Sequence, residues 1–221
     1  MTESPMAVSP TSGSQTDTAV PAFDLIAERY DEAFTDRNAQ LAAGRWLIDE
    51  LPPGGRILDL GCGSGLPTAV QLADAGFEVV GTDESNRMLE LARKRVPGAT
   101  FLQRDLRDLG EDLGTFDAVV SFFSLLMLPR ADISLVLGRV RERLTDRGLL
   151  AIGMVYGDMD YLPICFLGAS TFATCYPTDQ LVQVVTDAGF EVVDVDEVDV
   201  QAEPERVERQ IFLRARVKSN G

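Results

Sequence analysis

The sequence predicts an α/β protein built on a doubly wound, mostly parallel sheet with helices on both faces. Three observations carry this expectation. From Arg56 onward, short apolar runs alternate with helical patterns, the signature of successive β-α units. The run Phe116 to Phe122 is nearly all apolar, as a strand buried on both faces must be. The first apolar run leads directly into a glycine-rich loop, "LDLGCGSGLP" (Leu58 to Pro67). That is where such sheets bind ligands, beyond the carboxyl ends of the strands.

The elements follow in order. Residues 1–20 are rich in Ser, Thr, Pro and Gly and predict a disordered tail; residues 21–221 predict a single domain. Phe23, Ile26, Ala27, Tyr30 and Phe34 share one helical face, and a second helix carries Leu41, Trp46, Leu47 and Leu51 before Pro52-Pro53-Gly54-Gly55 stops it. Arg56 to Leu60 reads as a short buried strand. Pro67 suits the first turn of a helix that ends at Ala75 and Gly76. Phe77 to Thr82 is the second strand, and Ser85 caps a helix with Met88, Leu91, Ala92 and Val96 inward. Thr100 to Gln103 and Phe116 to Phe122 follow as strands. Asp132 is expected to cap a helix running through Ile133, Val136, Leu137, Val140 and Leu144, before a strand from Leu149 to Tyr156. An apolar insertion occupies residues 157–177. Thr178 is expected to cap the helix Leu181, Val184, Val185, Ala188, and two late strands cover Glu191 to Val198 and Gln210 to Val217.

Composition narrows the function. The net charge of −15 over 221 residues disfavours nucleic acid and anionic membranes as partners. The one short basic run, Arg93-Lys94-Arg95, closes a helix and complements its dipole. The acidic tract Asp194 to Asp199 is broken by Val195 and Val198 and reads as a solvated strand face. Three cysteines without a C-x-x-C pair predict neither a disulfide framework nor a metal site. No apolar run is long enough for a membrane span, and residues 1–20 lack a signal-peptide pattern, so a cytoplasmic protein is expected. Histidine is absent altogether, which removes the commonest general base.

The glycine loop brings backbone close to a ligand and leaves free N–H groups at a helix start. A dinucleotide is one candidate, read by G-x-G-x-x-G. Gly61 and Gly63 fit its first two positions, but the third is Leu66, where a bulky side chain opposes close helix–strand packing. An NAD-dependent oxidoreductase is therefore a less favoured alternative.

"LDLGCGSG" (Leu58 to Gly65) resembles the first motif of class I S-adenosylmethionine-dependent methyltransferases. "VVGTDES" (Val79 to Ser85) is similar to the second, "QRDLRDL" (Gln103 to Leu109) to the third, and "FDAVVSFFSLLMLP" (Phe116 to Pro129) to the fourth strand and its loop. "YPTDQLVQVVTDAGFEVVDV" (Tyr176 to Val195) resembles the late helix and strand. The likeness covers residues 23–217. It implies a Rossmann-like fold with an antiparallel last strand and S-adenosyl-L-methionine as cofactor. Asp83 would accept the ribose hydroxyls, or cap the following helix, although Ser85 already offers a cap. Asp105 would accept the adenine amino group, or be a plain loop aspartate. Asp59 would face the methionine ammonium while bracing the loop, and Gly61, Cys62, Gly63 and Gly65 would cradle the methionine portion. Glu84, Leu106, Ser121 and Phe122 complete the implied cofactor contacts. Met88 packs in the core or on adenine, and Tyr30 packs in the core or over the methionine end. The three acids suit a positively charged sulfonium.

The acceptor is less legible. Family members often carry a histidine after strand four, where this sequence reads "LLMLP" around Met127. Methyl transfer needs alignment and a dry site more than a base, so proximity and desolvation are the expected mechanism. Tyr156, Asp158, Asp160 and Tyr161 are weak base candidates. Residues 21–52 are expected as lid helices. The insertion, with Tyr156, Tyr161, Phe166, Phe172 and Tyr176, is expected to cover a small apolar or aromatic substrate, or else to form a homodimer interface. A same-fold protein that binds the cofactor without methylating is the remaining alternative.

Overall fold

β1 (Arg56–Leu60) lies at the centre of a seven-stranded sheet, with four of its five residues buried. The computed structural model describes residues 22–33, 36–203 and 206–219, so Phe34 and the expected tail lie outside the described residues. β2 (Glu78–Asp83), β3 (Thr100–Gln103), β4 (Phe116–Phe122) and β5 (Leu144–Val155) run parallel to β1. β8 (Phe190–Glu203) and β9 (Arg206–Val217) complete the order β3-β2-β1-β4-β5-β9-β8. β9 is antiparallel to both neighbours, as the resemblance implies for the last strand. The winding reverses between β1 and β4, and that switch point opens a crevice at their carboxyl ends.

Side-chain alternation along the strands divides two cores. Leu58, Leu60, Val80 and Val119 face one side, with α5 (Arg130–Arg143) and α6 (Thr178–Asp187) laid over them through Ile133, Leu137, Leu181 and Val185. Ile57, Val79, Ala118 and Val120 face the other, covered by α2 (Asn38–Glu50), α3 (Thr68–Asp74) and α4 (Asn86–Arg95) through Leu47, Leu72 and Leu89. α1 (Ala22–Ala33) packs on α4. Ser85 caps α4 as expected, accepting from Met88 N at 3.0 Å.

Several expectations about element boundaries need correction. Asp132 and Thr178 are not caps. Pro129 and Pro177 precede their helices in extended conformation, so each helix begins directly after the proline. Asp132 therefore sits inside the first turn and binds Arg107 Nε at 2.9 Å, while the Thr178 hydroxyl donates to Glu197 at 2.5 Å. Leu144 leaves the helix and starts β5, pairing with Phe116. The insertion is a hairpin, β6 (Met159–Phe166) and β7 (Ala169–Cys175), turned by Leu167 and Gly168 at φ 48° and 83°. The late strands extend to Glu203 and start at Arg206, held by cross-strand ion pairs of Arg214 with Asp194 and Asp196 and of Arg209 with Asp199. Among the described residues no helix is long and apolar enough to cross a membrane.

Candidate functional site

The glycine loop is fastened to its neighbours before any ligand is considered. Gly61 N and Cys62 N both donate to Thr82 O at 2.8 Å, tying the end of β1 to β2. Gly61 has φ 75°, and a Cβ there would lie 2.1 Å from Ser124 Cβ. Only glycine fits that approach. Ser124 needs the space because its hydroxyl donates to Leu60 O and meets Ser121 Oγ, both at 2.5 Å, bracing the loop after β4 against β1. At Gly65 the backbone takes φ 82°, which favours glycine, and a Cβ there would touch Ala92 at 3.4 Å, so this position lays the loop against α4.

Two carboxylates meet at this loop, one buried and one half-buried. Asp83 accepts from Gly63 N at 2.8 Å through Oδ2 and from Ser85 N at 2.9 Å through Oδ1. Burial lifts its pKa to about 6 despite those two donors. Asp59 is 3% exposed, and its Oδ2 is buried with no hydrogen-bond partner. Burial, with the Asp83 charge adding, lifts Asp59 to about 7. The Cys62 thiol is pushed well up by burial first and then by Asp59 and Asp83, which disfavours its thiolate. Two acids so placed form a site short of one positive charge.

Above them lies a cleft of about 230 Å³. Its floor is Asp59, Gly61, Cys62, Gly63 and Asp83; Glu84, Met88, Leu106 and Phe122 form one side, and Tyr30 reaches in from α1. The structure thus brings together ten of the thirteen expected cofactor residues. Gly65 lies behind the loop and Ser121 is buried beneath it, at 1% exposure. Asp105 is outside the lining, and its carboxylate accepts from Arg107 N at 2.7 Å and Arg107 Nη1 at 2.6 Å.

A second cavity, also about 230 Å³, adjoins the first and is more apolar. Phe23, Tyr30, Gln40, Leu66, Phe123 and Met127 belong to both. Of the five expected substrate residues, Phe166 lines this second cavity. Tyr161 lines the first, stacked on Phe172 at 4.6 Å between ring centroids. Tyr156 is 46% exposed beneath Arg209, and Tyr176 is 2% exposed in the core beneath Arg130. The remaining base candidates turn outward to Arg130: Asp158 binds its Nη2 at 2.6 Å and Asp160 accepts from its backbone N at 2.9 Å. The sequence pattern did not point to Val198, Val200, Glu208 and Gln210, which form the rear wall of the second cavity. The apolar–acidic alternation from Val192 to Val200 was a usable signal for that wall.

α1 closes over both spaces and is held at each end. Asp24 accepts from the Ser85 hydroxyl and from Arg87 N at the start of α4. Asp31 accepts from Ser64 Oγ at 2.8 Å and pairs with Arg37 at 3.1 Å and Arg95 at 2.7 Å. Arg95 also donates to Ser64 O at 2.9 Å, so the basic run at the end of α4 clamps the glycine loop as well as complementing the helix dipole. Tyr30, carried on α1, has its hydroxyl pKa lifted to about 12, chiefly by burial.

Comparison with known proteins agrees with this architecture. The family model described as "Methyltransferase domain" matches residues 57–148. The chain is 32% identical over 149 residues to an uncharacterized methyltransferase of Synechocystis, a match covering 65% of this chain and 70% of that one. It is 38% identical over 102 residues to the magnesium-protoporphyrin O-methyltransferase of Rhodobacter capsulatus, covering 44% of each. The match spans less than half the length of several of its curated relatives. Among solved structures, the magnesium protoporphyrin IX methyltransferase of Synechocystis with bound SAH superposes with TM-score 0.71 at 20% identity, over 90% of this chain and 98% of that one. The Burkholderia thailandensis 1,6-didemethyltoxoflavin-N1-methyltransferase, with its substrate and S-adenosylhomocysteine bound, gives 0.68 at 21% identity, over 96% and 93%. With the glycine loop, the paired acids and a relative matched across two thirds of its length, the chain belongs to the class I S-adenosylmethionine-dependent methyltransferases.

Proposed function

We propose that this chain binds S-adenosylmethionine in the polar cleft and methylates a small apolar or aromatic metabolite held in the adjoining cavity. One observation carries the reading. Asp59 Oδ2 is buried without a partner beside a second, half-buried carboxylate, in a cleft that adjoins an apolar cavity of comparable size. A cation bearing an ammonium and a sulfonium relieves that deficit, whereas an anionic dinucleotide deepens it. The solved neighbour holding 1,6-didemethyltoxoflavin supports a small-molecule acceptor.

When bound, the cofactor supplies a methyl carbon already activated by positively charged sulfur. The protein's residues do the rest. Asp59 offers its unpartnered oxygen to the ammonium. Asp83 uses one lone pair of each oxygen on the loop and keeps the others for the ribose hydroxyls. Tyr30, Leu66, Phe123 and Met127 stand where the two spaces meet, and they align the partners and keep water out. The charged base candidates after β5 are engaged by Arg130, which fits transfer by proximity to an acceptor that is already nucleophilic. α1 and the β6–β7 hairpin serve as the covers.

Calorimetric titration tests the reading. S-adenosylmethionine is expected to bind with a dissociation constant on the order of micromolar, and NAD not to bind. Binding of NAD without S-adenosylmethionine would overturn it.

A further inference from the structure

We infer that Tyr161 is a cofactor-contacting residue, carried to the cleft by a bulge in the β6–β7 hairpin so that its ring covers the adenosine end of S-adenosylmethionine. The inference rests on the proposed function, because it adds a residue to the same cofactor site.

The hairpin falls out of step at one place. Cross-strand pairing runs unbroken from Phe166↔Ala169 to Leu162↔Ala173 and resumes at Met159↔Cys175. Asp160 and Tyr161 therefore stand opposite the single residue Thr174, which makes a β-bulge. Tyr161 takes φ 52° there, a left-handed conformation that bulky side chains rarely adopt. Bulges of this kind re-aim a side chain, and the cavity linings show the result. Met159, Ile164 and Phe166 of the same strand line the second cavity, whereas Tyr161 lines the cofactor cleft.

The bulge is pinned on both sides. Asp160 Oδ1 accepts from Arg130 N at 2.9 Å. Tyr161 N donates to Thr174 Oγ1 at 3.0 Å, and the fully buried Thr174 hydroxyl donates to Leu128 O at 2.6 Å. Phe172 backs the ring, with centroids 4.6 Å apart and planes within 12°. Both rings are nonetheless exposed, so burial within the hairpin does not account for the arrangement. A left-handed tyrosine held this firmly at the edge of a cleft is strain kept for a ligand contact.

The place of Tyr161 along the cleft follows from the connectivity of the cofactor. With the ammonium at Asp59 and the ribose at Asp83, the base lies beyond Asp83, among Glu84, Met88 and Leu106. Leu106 and Tyr161 are both fastened beside the first turn of α5. Arg107, next to Leu106, donates to Asp132 at 2.9 Å, and Arg130 N holds Asp160. Tyr161 thus stands at the adenine side, where a flat purine offers the kind of π face that an aromatic ring covers. No proton transfer is assigned to its hydroxyl.

Tyr161→Gly tests this, because glycine accepts the left-handed backbone while removing the ring. The ligands are S-adenosylhomocysteine and 5′-methylthioadenosine, which keeps the adenosine end and lacks the amino acid. Calorimetry should show both weakened about tenfold, with the melting temperature of the ligand-free protein within a few degrees of the wild type. Tyr161→Phe keeps the ring and should bind S-adenosylhomocysteine within about twofold of the wild type. If Tyr161→Gly does not fold, Tyr161→Asn, which also tolerates a left-handed backbone, is held to the same criteria. The inference is overturned, and the proposed function stands, if the ringless variant binds S-adenosylhomocysteine as tightly as the wild type. It is equally overturned if Tyr161→Phe loses as much as the ringless variant, or if only S-adenosylhomocysteine is weakened. A wild type that binds S-adenosylhomocysteine but not 5′-methylthioadenosine below about 1 mM also overturns it. If the wild type binds neither compound, the proposed function fails and the inference with it.

Discussion

Asp59→Asn removes one charge from the acidic pair at nearly constant shape, and the structure sets how large the effect should be. Folding raises the Asp59 pKa from 3.8 to about 7. The folded state therefore holds the proton more tightly than the unfolded chain. For a raised carboxylate the ligand-free protein is most stable with the group protonated, and it loses stability as pH rises from about 4 to 7. The rise corresponds to a ceiling of about 4 kcal/mol, part of it shared with Asp83, itself raised to about 6. Denaturant unfolding of the ligand-free protein between about pH 5 and pH 8 reads this directly. The wild type should lose about 2–4 kcal/mol over that range, and Asp59→Asn clearly less. The same substitution should weaken S-adenosylmethionine binding at pH 8 by about tenfold or more, because the ammonium loses its counter-charge. Parallel pH profiles for the two proteins would refute the claim that Asp59 is a buried charge awaiting a cation.

Other perturbations follow from the same geometry. Asp83→Ala removes the acceptor of Gly63 N as well as the proposed ribose contact, so calorimetry should show about a hundredfold loss of cofactor affinity with a smaller loss of thermal stability. Gly61→Ala forces a methyl group into Ser124 and should cost about 3 kcal/mol or more, read as a lowered melting temperature. Asp31→Asn loosens the tie between α1, Ser64, Arg37 and Arg95 and should speed hydrogen exchange in α1 while leaving the sheet protected. Unchanged exchange in α1 would show that apolar packing alone holds the helix.

The cofactor half was legible because its signals are local. Glycines at a strand end, an acid at the end of the next strand and a capping serine sit at fixed short spacings, and strand alternation gives the sheet. Asp83 still held a surprise: its two oxygens brace Gly63 and Ser85, a role that spacing alone cannot show. The caps at Asp132 and Thr178 failed because the preceding prolines set the helix starts. The second cavity was poorly legible for a different reason. The hairpin turn Leu167-Gly168 lacks the usual Asn-Gly or Asp-Gly, and Pro163 inside β6 argues against a strand unless that strand is an edge. Tyr176 was expected at a substrate, but its neighbours in space are core residues far away in sequence. Glu208 and Gln210 entered the site only through strand register, which depends on pairing across the chain.

The place of β9 has a consequence for how the protein is made. β9 follows both β5 and β8 along the chain, yet it is inserted between them. While a nascent chain is still short of β9, β5 presents an open, apolar hydrogen-bonding edge and β8 has no partner in the sheet. Such an edge is a template for pairing with another chain. The vulnerable stage is thus the interval between emergence of β5 and arrival of β9, when chaperone binding or aggregation competes with folding. The strand that supplies the rear wall of the second cavity is also the one that ends this exposure.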